Sequence, residues 1–145
     1  MSKERYKTNP FVFVVFFVLS LLLILFINEA LGLELTYDEK LTRDILVYYV
    51  FPFLTTAYYA KRSVWMGVNM GLNLRLASFF IDVVLKFLTT QQLVFSSPEI
   101  NLLLQNGVSW LANPFITIIF LVVVSFIGLY LMAAISRFVW KTILD

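Results

Sequence analysis

Three charged side chains interrupt an apolar stretch between residues 63 and 95, and their spacing could support chemistry inside a membrane. Arg75, Asp82 and Lys86 are seven and four residues apart, which places them on one face of a helix. A charge near the bilayer centre costs about 2.5–3.5 kcal/mol on insertion scales, so such residues are kept when paired, hydrated or used.

Three interpretations of this charged face stay open. Asp82 and Lys86 could form an ion pair within one helix that fixes its packing. The pair could instead dock a partner subunit that carries matching charges. In the third interpretation Asp82 is a proton or cation site, with Lys86 or Arg75 as its charge switch.

Small residues extend the same helix face and predict close helix packing. Gly67 and Gly71 form a G-x-x-x-G motif before Arg75, and Ser78 follows it. A second stripe of small residues is predicted on the last apolar segment: Ser125, Gly128, Met132 and Ser136. Asn69 and Asn73 lie opposite Asp82, where we expect amides that touch headgroups or cytoplasmic water.

Composition excludes most catalytic chemistry. The chain has no Cys and no His, which removes disulfides, thiolate nucleophiles, ordinary zinc sites and the usual general base. No phosphate loop, nucleophile elbow, HExxH motif or dinucleotide fingerprint is present. We therefore expect no enzyme, no cofactor and no metal site, and the scattered cations do not suit nucleic acid.

The same composition indicates a membrane protein. Of 145 residues, 61% are hydrophobic and 17% aromatic, and the mean hydropathy is +0.88. Soluble domains contain about 45–50% apolar residues, so this excess predicts lipid contact. The predicted fold class is an all-α integral membrane protein with about four transmembrane helices.

The predicted boundaries follow from apolar runs and helix-start signals. The first span is predicted at residues 10–33. A signal peptide is the alternative interpretation of this segment, but no small-x-small cleavage site follows it. The second starts at the capping box Thr36–Glu39, and Pro52 should kink it. The spans after the first are predicted at 37–60, 64–95 and 114–136, with a short helix on the outer surface at 98–106.

The third segment allows two arrangements, because 32 residues make about 48 Å of helix. Residues 63–75 lie along the cytoplasmic interface and leave 76–95 to span, or one long tilted helix protrudes from the membrane. The sequence favours the first arrangement. The outer helix is then expected to turn Ile100, Leu103 and Leu104 towards lipid.

Charge distribution predicts the orientation. Both termini are placed in the cytoplasm because the cations gather there, whereas the acidic residues fall mostly outside. This predicts a multi-pass protein in the plasma (inner) membrane of a prokaryote. The predicted cytoplasmic anchors to anionic lipid headgroups are Lys61, Arg62, Trp65, Arg137, Trp140 and Lys141.

Two R-x-V-W motifs carry a family resemblance. With its four short spans, and with Arg62-Ser63-Val64-Trp65 and Arg137-Phe138-Val139-Trp140 after the second and fourth, the chain resembles the GtrA-like membrane proteins. The resemblance implies a small helper of lipid-linked sugar transfer. The chain departs from that family at Ala60, where an asparagine is usual, and no functional residues are transferred.

The predicted function is a small non-catalytic accessory or assembly subunit of a larger membrane complex. It would dock through the polar face of the third helix, because its Asp and Lys have no evident countercharge elsewhere in the spans. The alternative is a small oligomeric transporter, flippase or channel that uses Asp82 and Lys86. The predicted partners are therefore the lipid bilayer and either a larger complex or further copies of this chain.

Overall fold

The computed structural model describes residues 7–26, 34, 36–91, 98–107 and 113–144, and 88% of them are helical. No strand occurs in these ranges, so the all-α prediction is confirmed. The elements in chain order are α1 (Phe11–Phe26), α2 (Tyr37–Ile45), a π-helical turn (Leu46–Val50), α3 (Phe51–Tyr59), α4 (Val64–Thr90), α5 (Pro98–Gln105) and α6 (Pro114–Leu144).

One described helix, Phe115–Leu144, is long and apolar enough to cross a membrane. It supports the predicted association with a bilayer. The other strongly apolar helix, Phe11–Phe26, is shorter, and residues 27–33 of the predicted first span lie outside the described ranges. The four-span topology stays a prediction.

Side-chain caps start the helices where the sequence placed them. The Thr36 hydroxyl accepts a hydrogen bond from the Glu39 backbone N–H at 3.2 Å, and Ser63 accepts one from Met66 at 3.1 Å. Asn113 caps α6 through the Phe115 N–H at 3.0 Å. Each cap satisfies a backbone donor that the first helical turn leaves without a partner.

The helix that contains Pro52 widens into a π-helical turn just before the proline. A proline lacks the N–H, and its ring collides with the carbonyl four residues earlier. Here the π-helical turn Leu46–Val50 precedes it, and the Phe51 N–H bonds to the Leu46 carbonyl five residues back. The extra residue in this turn buries both Val47 and Tyr48.

The α3 and α4 backbones approach each other closely at two glycines of α4. A Cβ added at Gly67 would lie 2.7 Å from the Thr56 carbonyl oxygen, and one at Gly71 would lie 1.8 Å from the Thr56 hydroxyl and 3.0 Å from the Pro52 carbonyl. Both glycines are buried. The G-x-x-x-G motif therefore packs against the preceding helix of the same chain.

The structure corrects the favoured arrangement of the third segment. Helix α4 runs from Val64 to Thr90 without a break, about 40 Å at 1.5 Å per residue. Its first half contributes buried residues to the bundle, including Val68, Leu74 and Arg75. Residues 63–75 are therefore not a separate helix on the surface, and the single long helix is the arrangement found.

The packing stripe on α6 agrees in part with the predicted one, because Ser125 and Ser136 are both buried. A Cβ on Gly128 would meet no atom within 4 Å, so this glycine makes no close packing contact with the described residues. The buried residues of α6 mix large and small side chains: Thr117, Leu121, Ser125, Leu129, Ala133 and Ser136.

Gly71→Ala should destabilise the bundle, with Gly128→Ala as its matched control. Overpacking of a filled interior typically costs about 1–3 kcal/mol. The same substitution at Gly128 adds a better helix former in open space, which is worth up to about 1 kcal/mol. Thermal unfolding in mild detergent, followed by circular dichroism, measures both. Equal stability of the two variants would contradict the close approach at Gly71.

Candidate functional site

A buried arginine joins four elements of the bundle. Arg75 of α4 is 3% exposed. Its guanidinium donates to the Ser125 hydroxyl on α6 at 2.9 Å and to the Glu99 carboxylate on α5. The guanidinium carbon also lies 5.4 Å from the centre of the Tyr49 ring, a cation–π contact with the π-helical turn.

This arginine lies at mid-height of the bundle. Arg75 is 11 residues from the start of α4, and Ser125 is 11 residues from the start of α6. Each separation is about 16 Å of helix. The two helices are antiparallel. Val68, near the start of α4, belongs to the same buried cluster as Ala133, which lies towards the end of α6.

The structure corrects the prediction that α5 turns Ile100 towards lipid. Ile100 is 1% exposed and belongs to the main core cluster with Val47, Phe79 and Leu121. Leu104, predicted on the same face, is exposed. Glu99 of α5 supplies a countercharge to Arg75, whereas the predicted lack of a countercharge within the spans concerned Asp82 and Lys86.

Asp82 and Lys86 form an ion pair within α4. The Lys86 ammonium lies 3.1 Å from the Asp82 carboxylate, at the i,i+4 spacing. Asp82 is buried, and the Lys86 side chain is partly exposed. This geometry matches the first of the three interpretations of the charged face. Ser78, on the same face, is buried and donates to the Leu74 carbonyl at 2.9 Å.

Tyr48 of the π-helical turn is buried, and its hydroxyl is unsatisfied in the part of the chain that the structure describes. Within the described ranges, the Arg75 Nε has no hydrogen-bond partner either. Most buried polar atoms have a partner, so both atoms are exceptions among the described residues.

A cavity of about 790 Å³ lies beside this cluster, between α2, the π-helical turn, α5 and α6. Its polar lining residues are Lys40, Asp44, Tyr49, Glu99 and Gln105. Its apolar lining residues are Leu41, Ile45, Leu102, Leu103, Phe120 and Val124. The cavity thus combines charged side chains, among them Glu99 of the buried ion pair, with hydrocarbon side chains.

The predicted headgroup anchors gather at one end of the bundle, here called the basic end. The Trp140 indole N–H donates to the Ala57 carbonyl at 2.8 Å, and Arg137 donates to the Lys61 carbonyl. The Lys61 ammonium lies 5.3 Å from the centre of the Trp140 ring. The other three predicted anchors at this end, exposed to their surroundings, are Arg62, Trp65 and Lys141.

Two tyrosines tie the chain's N-terminal region to the basic end. The Asn9 backbone N–H donates to the Tyr58 hydroxyl at 2.8 Å, and the Tyr59 hydroxyl donates to the Asn9 carbonyl at the same distance. The Phe13 N–H donates to Tyr59 at 3.0 Å. These phenols therefore hold the start of α1, a role that the sequence analysis did not assign to them.

Breaking the Arg75–Glu99 pair from one side should be more harmful than removing both charges. Arg75→Gln removes the cation that pairs with the Glu99 carboxylate. Breaking a buried ion pair from one side typically costs roughly 3–5 kcal/mol of folding free energy. Arg75→Gln/Glu99→Gln should lose less than the single change. Unfolding free energies in detergent, with the exposed Glu39→Gln as control, measure the difference. A double variant that loses the sum of both single changes would contradict direct pairing.

No family model matches the chain, and no curated protein or solved structure matches it either. The GtrA-like resemblance thus stays a hypothesis, and the function has to be argued from the geometry of this chain.

Proposed function

We propose that the chain is a four-span protein of a prokaryotic plasma membrane, with α1, the α2–α3 run, α4 and α6 as its spans. The run Tyr37–Tyr59 is 23 residues, about 34 Å of helix, which is enough for a hydrocarbon layer of about 30 Å. The outward faces support this placement, because they carry exposed apolar side chains along α1, α4 and α6, among them Val15, Phe80, Leu88, Ile119 and Ile127.

The proposed orientation has both termini in the cytoplasm. At the basic end, Arg137 and Trp140 of the second R-x-V-W motif donate to the Lys61 and Ala57 carbonyls, just before the first motif. The start of α1 reaches the same end through Tyr58 and Tyr59. Cations together with tryptophans at one end are typical of the cytoplasmic interface.

Within that placement, the proposed activity is binding and transbilayer movement of an amphipathic, lipid-like molecule, without catalysis. The observation that carries this proposal is the cavity of about 790 Å³ whose wall includes Glu99, the partner of the mid-height Arg75. Its size falls in the range of about 300–1,000 Å³ typical of ligand pockets.

The two kinds of lining residue would bind different parts of such a molecule. The charged residues Lys40, Asp44 and Glu99 would hold a polar headgroup by exchanging its water for fixed charges. Apolar residues such as Leu103 and Phe120 would contact the hydrocarbon part. A headgroup at mid-height meets charges that are already paired and held in place, which lowers its barrier to crossing the apolar layer.

This proposal is the transport alternative of the sequence analysis, moved from Asp82 and Lys86 to the Arg75–Glu99 pair. The accessory-subunit hypothesis depended on charges that needed an external partner. In the structure, Glu99 forms an ion pair with Arg75, and Lys86 forms one with Asp82, both within the chain. An accessory role stays as one outcome of the experiment below.

Lipid transport is tested by reconstituting the purified protein into phosphatidylethanolamine–phosphatidylglycerol vesicles with trace fluorescent phosphatidylglycerol. Dithionite bleaches only the outer leaflet. We expect the bleached fraction to rise from the outer-leaflet share to nearly all of the label. Val124→Trp, which fills the cavity, should slow transport several-fold, whereas Val123→Trp on the exposed neighbouring position should not.

Wild-type protein that bleaches no more label than empty vesicles would contradict the transport proposal. Equal slowing by Val124→Trp and Val123→Trp would place transport outside the cavity. Stable purification with a second membrane protein, together with no lipid movement, would favour the accessory role.

A further inference from the structure

Helix α4 carries two exposed asparagines on an otherwise apolar outward stripe. The stripe follows every third or fourth residue of α4, and its exposed members are Trp65, Asn69, Asn73, Phe80, Val84 and Leu88. Asn69 and Asn73 are the only polar side chains among them. An amide pair on such a surface requires an explanation, because each amide loses hydrogen bonds to water when it faces lipid.

The depth of the pair excludes a simple headgroup contact in the proposed membrane placement. Asn73 lies two residues, about 3 Å of helix, from the mid-height Arg75, and Asn69 lies about 6 Å further towards the basic end. The prediction that Asn69 and Asn73 are interfacial amides assumes that residues 63–75 lie along the surface. The unbroken helix Val64–Thr90 removes that assumption.

The two amides bond to each other and retain further hydrogen-bonding capacity. The Asn73 amide N–H donates to the Asn69 side-chain oxygen at 3.3 Å. Each amide group has two N–H donors and an oxygen with two lone pairs, so one bond uses a small part of the pair's capacity. Lipid tails offer neither donors nor acceptors.

We propose that α4 packs against α4 of a second copy of this chain, through Asn69 and Asn73, to form a two-fold dimer. This rests on the proposed membrane placement and is independent of lipid transport. Two copies inserted with the same orientation meet with parallel helices, so each asparagine faces its own counterpart. An amide both donates and accepts, so it complements itself, whereas a surface of one charge would repel its copy.

The rest of the stripe suits the same partner. Phe80 and Trp65 lie on either side of the amide pair and are exposed, although the Trp65 ring also packs beside Phe126 and Tyr130 of α6. Hydrogen bonds between asparagines on facing membrane helices favour association of the helices. The face opposite the stripe is occupied within the chain by Gly67, Gly71 and Arg75, so the dimer leaves the cavity and its ion pair in place.

Disulfide cross-linking tests the dimer directly, because the native chain has no Cys. Ala77→Cys lies one turn beyond Asn73 and leaves both asparagines intact. On copper–phenanthroline oxidation in membranes we expect it to give a band at twice the 16.8 kDa chain mass. Val123→Cys, exposed on α6, is the matched control and should stay monomeric. Adding Asn69→Leu and Asn73→Leu to Ala77→Cys should reduce the cross-linked fraction at least five-fold.

Two results would overturn the proposal: Ala77→Cys that stays monomeric in folded protein, or cross-linking that is unchanged by the two leucines. Cross-linking of Ala77→Cys to a different protein instead would assign the amides to a foreign partner. A separate measurement isolates the membrane placement. If Asn73→Cys reacts with a water-soluble maleimide as fast as Lys141→Cys, the placement itself is wrong.

Discussion

The Arg75–Glu99 ion pair is the interaction on which the rest of this structure depends. A buried guanidinium is tolerated only when it is paired and hydrogen-bonded, and Arg75 obtains its partners from α5, α6 and the π-helical turn. Satisfying one side chain therefore fixes the position of three other elements. The cavity lies where α5 meets α2, the π-helical turn and α6.

Close packing between α3 and α4 provides the frame for that pair. Gly67 and Gly71 let the two backbones meet at Thr56, while the π-helical turn before Pro52 brings Tyr48 and Tyr49 towards the charged face. Two glycines and a proline thus shape the contact between α3 and α4, and the polar cluster lies next to this contact. Close backbone packing at this contact allows a chain of 145 residues to bury charges without a large core.

Local signals were predictable from the sequence, whereas long-range partners were not. The caps at Thr36 and Asn113 are short-range hydrogen bonds at helix starts that the residue pattern predicts. The cap at Ser63 is of the same kind but was not predicted. The Arg75–Glu99 contact joins residues 24 apart across two elements, and periodicity within one helix has no information about it. Pro98 and Glu99 form an ordinary helix-start pattern, which gives no indication that Glu99 contacts Arg75.

The most direct test of this account is the solvent access of α5. In membranes, Ile100→Cys should react slowly with a water-soluble maleimide while Arg75 is present, and Leu102→Cys, 60% exposed in the native chain, should react fast. Adding Arg75→Gln should release α5 and raise the Ile100→Cys rate towards that of Leu102→Cys. Fast labelling of Ile100→Cys with Arg75 intact would contradict the claim that the ion pair holds α5 inside the bundle.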